Sequence, residues 1–440
     1  MRTAVLYVLA VFFSVFSPAQ DSTVGGSTPT TDMDGMGGMS QSKMGMESHS
    51  LSETITQHTA SGTDAEPSST PSEMVMFKKG GWMFMFHGEA FLNELQQTGL
   101  RGADKVFSTN WFMPMAQRKI GASGTLTLRT MLSLEPATVT SERYPELFQQ
   151  GETAFGRPIV DGQHPHNFFM EVAAIYDYRV SERTLLSVYA APVGDPALGP
   201  PAYPHRASAP EDPMAPLGHH LQDSTHIADD VITLGITHGM FRVEASGFHG
   251  QEPDEYRWDI DTGRIDSWSA RLTANPGQNW SFQYSISDLA SPEALFPHEN
   301  IRRMTASLIY NRPIHEGNWN SMVLWGRNQS LQDGNVGNAY LLESTLRFLN
   351  KNNVWTRIEN VDRTNELLTG ETLLSPSFTE RYFTRVQAYT AGYDRDIGRL
   401  PHLLTAVGAQ LTWYGVPAVL QPVYGSHPLG VLAFLRLRAK

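Results

Sequence analysis

From residue 82 onward the chain alternates. In Trp280-Ser281-Phe282-Gln283-Tyr284-Ser285-Ile286-Ser287 every even position is large and apolar, and every odd one is polar. Successive side chains on a strand point to opposite faces, so this segment has one greasy face and one wet face. The same period of two recurs near 82–94, 105–117, 120–135, 166–179, 183–192, 228–238, 240–250, 263–275, 279–289, 300–311, 318–327, 338–349, 354–362, 380–393, 401–414 and 428–438. The pattern predicts about 16 strands. Alternation is poor in 105–117 and 380–393, which leaves about 14 as the other count.

The connections sort by length. Those at 95–104, 136–165, 193–227, 251–262, 290–299, 328–337, 363–379 and 415–427 are long, and they alternate with brief turns such as Arg118-Lys119, Ser181-Glu182, Gly239, Pro276-Gly277-Gln278 and Lys351-Asn352. An even strand count, long and short connections in alternation, and both termini on the short-turn side predict an all-β fold. The expected form is a transmembrane antiparallel β-barrel of the bacterial outer membrane, with lipid outside and a polar lumen. A soluble sandwich or propeller has no reason to sort its loops in this way. Trp82, Tyr178, Trp280, Trp355 and Trp413 stand at strand ends, where interfacial aromatics are expected. Phe434 lies near the end of the last segment, but the chain runs on through Arg436 and Arg438 to Lys440.

The N-terminal part reads differently. Arg2 precedes an apolar run from Ala4 to Phe16, and Ser17-Pro18-Ala19 offers small residues for cleavage, so 1–19 is expected to be a signal peptide. The run is shorter than the about 20 residues that a spanning helix takes. Residues 20–75 are rich in Gly, Ser, Thr, Met and Asp and poor in large apolar residues. Such a composition predicts a disordered periplasmic segment, with the barrel occupying 76–440. The segment carries Met33, Met36, Met39, Met44 and Met46, where there is no core for methionine to fill. The 440 residues carry a net charge of −12, which argues against a nucleic-acid partner. There is no cysteine, and hence no disulfide, thiolate metal site or cysteine nucleophile.

Phase assigns faces within the barrel. Trp82, Phe84 and Phe86 share one face of the first segment, and Met83, Met85, His87 and Glu89 share the other. Thioethers suit soft ions and imidazole suits copper or zinc, so this ladder is either a ligand set or a packed polar wall. The other lumen-phase charges are of mixed sign: Arg129, Glu135, Glu171, Asp177, Arg242, Glu244, Arg271, Arg303, Glu343, Arg347, Arg357 and Glu359. They either set a transverse field across an open channel or knit the lumen shut. Two histidine clusters end the second and third long loops. His164-Pro165-His166 is one, and His219-His220 with Asp223 and His226 is the other. Both lead into strands from the same rim, so imidazoles and carboxylates can converge there on Zn(II), Cu(II) or Ni(II). Ser224 lies between Asp223 and His226, yet sequence neighbours do not make a catalytic triad, and no Gly-x-Ser-x-Gly elbow is present.

The leader Met33-Asp34-Gly35-Met36-Gly37-Gly38-Met39 and Lys43-Met44-Gly45-Met46, followed by a barrel, resembles the outer-membrane copper resistance proteins of the B type. That resemblance covers the leader by composition and the rest by architecture. It implies capture of Cu(I) by the leader methionines in the periplasm. The expected function is thus metal-ion handling, with copper or zinc as the ion. The expected partners are outer-membrane lipid, periplasmic metal-handling proteins, and metal ions or small solutes, with the barrel a monomer or trimer. The alternatives are a general porin with incidental His and Met, and a barrel hydrolase.

Overall fold

Sixteen antiparallel strands close into a ring in the computed structural model, which describes residues 50–224, 228–375 and 377–440. The strands are β1 (Trp82–Gln97), β2 (Lys105–Ile120), β3 (Gly124–Leu132), β4 (Phe169–Ser181), β5 (Thr184–Gly194), β6 (Ala228–His238), β7 (Phe241–His249) and β8 (Ser267–Gly277). They continue as β9 (Trp280–Leu289), β10 (Ile301–Ile314), β11 (Gly317–Ser330), β12 (Val336–Phe348), β13 (Asn352–Thr364), β14 (Tyr382–Leu400), β15 (Leu403–Gly415) and β16 (Leu429–Ala439). Each pairs with its sequence neighbour, and β16 closes the ring on β1 from Glu89↔Arg438 to Gln97↔Gly430. The lower part of β1 is covered instead by a short strand, Val75–Lys79, which folds back on Trp82–Phe86. The count is therefore 16 rather than 14, and the weakly alternating segments 105–117 and 380–393 are strands. The signal peptide expected at 1–19, the methionines Met33, Met36, Met39, Met44 and Met46, and His226 lie outside the described residues.

The faces follow parity. Phe282 and Tyr284 on β9 are exposed, whereas Ser281, Ser285 and Ser287 are buried in the lumen. Leu234, Val243, Leu272, Val323, Leu342, Ile358 and Leu411 continue the apolar exterior around the ring. Trp280, Tyr310 and Trp319 form a chain of ring contacts near the short turns, at 4.4 and 5.5 Å between centroids. A barrel closed by neighbour pairing, with this exterior, satisfies the strand backbone within the wall, as a membrane requires. The protein is an outer-membrane β-barrel.

Trp355 corrects one expectation. It is 2% exposed and faces the lumen, because it shares parity with Arg357 and Glu359. Its partner across the ladder is Gly392, where an added Cβ would lie 2.1 Å from the indole. The missing side chain is what admits the ring. Phe434 also points inward, against Trp355 and Phe91.

The lumen is filled. Residues 50–74, expected to be disordered from composition, are held inside the barrel, and this corrects the boundary drawn at 75. Ser50 caps helix α1 (Leu51–Gln57) by accepting from the Glu53 amide at 3.3 Å, and Leu51 and Ile55 bury against Leu185. The backbone that follows is bound by lumen side chains. Arg129 donates to the carbonyls of His58, Ala60 and Gly62 at 3.3, 2.6 and 2.5 Å, while Glu171 accepts from the Gly62 amide at 3.0 Å. Arg271 pairs with Asp64, and Asn311 donates to the Ser69 carbonyl at 2.7 Å. Composition missed this because the segment does not form its own core; the barrel wall supplies the partners. From the other end, loops 133–168 and 195–224 fold down into the ring and are largely buried. Glu66 of the N-terminal segment accepts from the Ala207 amide at 2.9 Å, so plug and loop meet. The mixed lumen charges knit this filling together. Arg357 joins Glu343 at 2.9 Å and Asp212 at 3.1 Å, and Arg438 joins Glu89 at 2.6 Å and Glu211 at 3.0 Å.

Candidate metal centre

Loop 133–168 builds its own scaffold beneath the long-loop rim. Tyr144–Pro145 pairs with Gly162–Gln163, and Glu152–Ala154 pairs with Arg157–Ile159. The second hairpin presents Glu152, and the chain leaving the first presents His164. Loop 195–224 supplies His220 from a single helical turn, His219–Gln222. Gly151 stands between them with φ at +107°, and a Cβ there would meet the His220 ring at 3.3 Å. Glycine is what lets this backbone turn beside the imidazole.

Glu152, His164 and His220 are all buried, and each offers a ligand atom within 4.8 Å of the others. His164 Nε2 is 2.7 Å from Glu152 Oε1, and His220 Nε2 is 3.8 Å from the same oxygen. His164 Nδ1 lies 2.8 Å from the Pro165 carbonyl, so it carries the proton and donates. Nε2 meets the Glu152 oxygen at hydrogen-bond distance, so a proton is shared between them where no cation takes its place. An imidazole that donates one nitrogen to a backbone carbonyl and offers the other is the usual arrangement of a metal ligand. Burial would raise Glu152, but His164, His220 and Arg257 hold it at about 2, while burial pushes His220 down to about 3. Carboxylate and neutral imidazole are the states that bind a metal.

A second tier of carboxylates adjoins His220. Its Nδ1 is 3.7 Å from Glu252, and a cavity of about 20 Å³ beside it is lined by Glu252, Glu293, Glu380 and Arg303. A neighbouring cavity of about 30 Å³ shares Glu293 and Glu380 and reaches Glu299. Burial, reinforced by Glu152, drives Glu252 well above the usual carboxyl range. Burial together with Glu299 holds Glu380 at about 7.

The remaining sequence candidates go elsewhere. His166 contacts Glu135 at 2.9 Å and the Tyr203 hydroxyl at 3.3 Å. His219 Nδ1 lies 2.6 Å from the Pro216 carbonyl, and its ring stands 4.1 Å from that of His220. Asp223 ends the helical turn outside the converging group, and its carbonyl accepts from Arg303 at 3.3 Å. Ser224 donates to Asp195 at 3.0 Å, which is not a serine–histidine pairing. Met83, Met85 and His87 lie on the lumen side of β1, where Met85 is fully buried with Met113, Met115, Met131 and Met170. Sequence reasoning missed Glu152 and Glu252. Each is one of several carboxylates in a long loop, and only the inward fold of those loops marks it.

No family model matches the chain, and no curated protein matches it. Among solved structures it is similar to an anion-selective porin from Comamonas acidovorans, with 11% identity, a TM-score of 0.47, and coverage of 81% of this chain and 99% of that one. It is also similar to Salmonella typhi OmpF in complex with daunomycin, with 8% identity, a TM-score of 0.48, and coverage of 82% and 100%. The outer-membrane channel DcaP of Acinetobacter baumannii matches at 9% identity and a TM-score of 0.45, covering 82% and 99%. With identities and scores this low, the chain's own geometry carries every conclusion below.

Proposed function

We propose that this outer-membrane barrel handles metal ions, taking a divalent transition metal from the outer side at Glu152, His164 and His220 and holding it above a sealed lumen. The observation that carries this reading is the convergence of three buried donors, with His164 Nε2 and a Glu152 oxygen 2.7 Å apart. One carboxylate and two imidazoles suit Zn(II) and Cu(II), with bonds of about 2.0–2.2 Å reached by small side-chain rotations. The raised carboxyls of Glu252 and Glu380 line the cavities beside His220 and would release protons as a cation enters. Copper delivered to or from periplasmic carriers by the leader methionines belongs to the same reading. Equilibrium dialysis of Zn(II) and Cu(II) against the full chain in detergent tests it. His164→Ala with His220→Ala should abolish the tight equivalent; undiminished binding would sink the proposal. The filled lumen speaks against a general porin, and steady metal-independent conductance in planar bilayers would reinstate that alternative.

A further inference from the structure

The lumen wall of β1–β3 sets sulfur and imidazole in register. His87 on β1 stands directly opposite Met113 on β2, and Met85 stands opposite Met115. Directly opposed residues of an antiparallel pair have Cβ atoms about 4.5–5.5 Å apart. Met131 continues this row on β3, bracketed by the pairs Phe112↔Leu132 and Met115↔Arg129. Loop 195–224 then lays His205 across the row. Its Nε2 is 2.8 Å from Met131 Sδ, and its ring is 6.1 Å from that of His87. Trp111 flanks both imidazoles, at 4.7 and 4.4 Å between centroids.

A packed apolar patch accounts for the methionines, since their flexible side chains fill irregular gaps. It does not account for the histidines. The Nδ1 atoms of His87 and His205 are both buried without a hydrogen-bond partner, a cost that Leu or Phe at either place would avoid. Both imidazoles border a cavity of about 140 Å³. Four carboxylates line the same cavity, and each is already engaged: Glu73 by Lys440, Glu89 and Glu211 by Arg438, and Glu66 by the Ala207 amide. The donors left over are neutral thioethers and imidazoles. Neutral soft donors, with the nearby carboxylates committed to other partners, favour a soft ion of single charge over a divalent one.

We propose that His87, Met113, Met131 and His205 form a buried site for a soft monovalent cation, Cu(I) or its redox-inert analogue Ag(I). The site shares no ligand with the Glu152–His164–His220 centre and does not depend on it. Thioethers carry no proton to lose, so occupancy follows the reduced metal more than it follows pH.

The test uses the full chain in detergent with Met33, Met36, Met39, Met44 and Met46 replaced by Ser, so that leader sulfurs contribute nothing. Ag(I) is titrated calorimetrically, and Cu(I) by competition with a chromogenic chelator. The expected result is one tight equivalent whose X-ray absorption shows mixed nitrogen and sulfur ligation. Met113→Leu with Met131→Leu keeps the packed volume and should weaken binding by about tenfold or more, with Zn(II) binding unchanged. His205→Gln, in a loop outside the barrel wall, should do the same and serves if the leucine variant does not fold. Equal Cu(I) affinity in parent and folded variant, or a shell of nitrogen and oxygen alone, would overturn the site. Zn(II) binding lost only in the His164→Ala/His220→Ala variant reports on the other centre and separates the two readings.

Discussion

Arg129 serves two partners at once. Its guanidinium donates to Glu171 at 2.7 and 2.8 Å and to three carbonyls of the N-terminal segment. Removing it leaves the Glu171 side chain buried without its counter-charge, and frees the plug. Arg129→Met should therefore cost about 3–5 kcal/mol, read as an earlier urea midpoint in micelles, and should raise bilayer conductance. Arg129→Met with Glu171→Gln should recover part of the stability but not the closed lumen. Gly392 is the opposite kind of residue, needed for what it lacks. Gly392→Ala drives a methyl into the Trp355 indole and should destabilise by about 1–3 kcal/mol, seen as a lower temperature for loss of the compact form on gels. Neither residue announces its role in the sequence. A lumen arginine and a strand glycine acquire meaning only from the residues that stand opposite them.

Strands were the legible elements. A period of two states which side chains meet lipid, and all 16 segments read from it are barrel strands. The twelve charges placed in the lumen by phase do turn inward, Glu135 from a loop rather than a strand. Trp355 was misread because position at a strand end was weighed above parity. Leu234, 59% exposed in the middle of β6, tests the lipid face. Leu234→Lys should destabilise the barrel in lipid by about 2–4 kcal/mol, measured by denaturant titration in vesicles, and much less if that face met water. The loops were not legible, since an inward fold leaves no periodic signature. Their histidines pointed to a rim site, yet Glu152 emerges as its carboxylate only because a hairpin turns it inward. One signal was present and unread. Ser50-Leu51-Ser52-Glu53 is a capping-box pattern, and Leu51 and Ile55 share a face, so a helix at α1 could have been anticipated.

At the scale of the molecule, closure depends on a plug from one end meeting loops from the other. Glu66 sits at that meeting. Burial first, against the Ala207 amide and Arg206, holds its carboxyl at about 7, above its ordinary value. A carboxyl raised in the folded state stabilises fully at pH below the ordinary value and loses that contribution as pH climbs through the raised one. The contact between plug and loop should therefore loosen between about pH 5 and about pH 8. Hydrogen exchange of residues 50–74 should quicken over that interval, and Glu66→Gln should flatten the change. The short strand Val75–Lys79 adds a constraint of another kind. It fastens the plug to β1, with only Thr70–Met74 as slack between Ser69 in the lumen and the wall. A plug on so short a leash returns at an effective concentration in the millimolar range. Dissociation is then followed by recapture far sooner than by escape, and a soluble peptide or periplasmic protein could replace it only at comparable concentration. Opening, where it occurs, is a brief local excursion of a tethered segment and not the departure of a subunit.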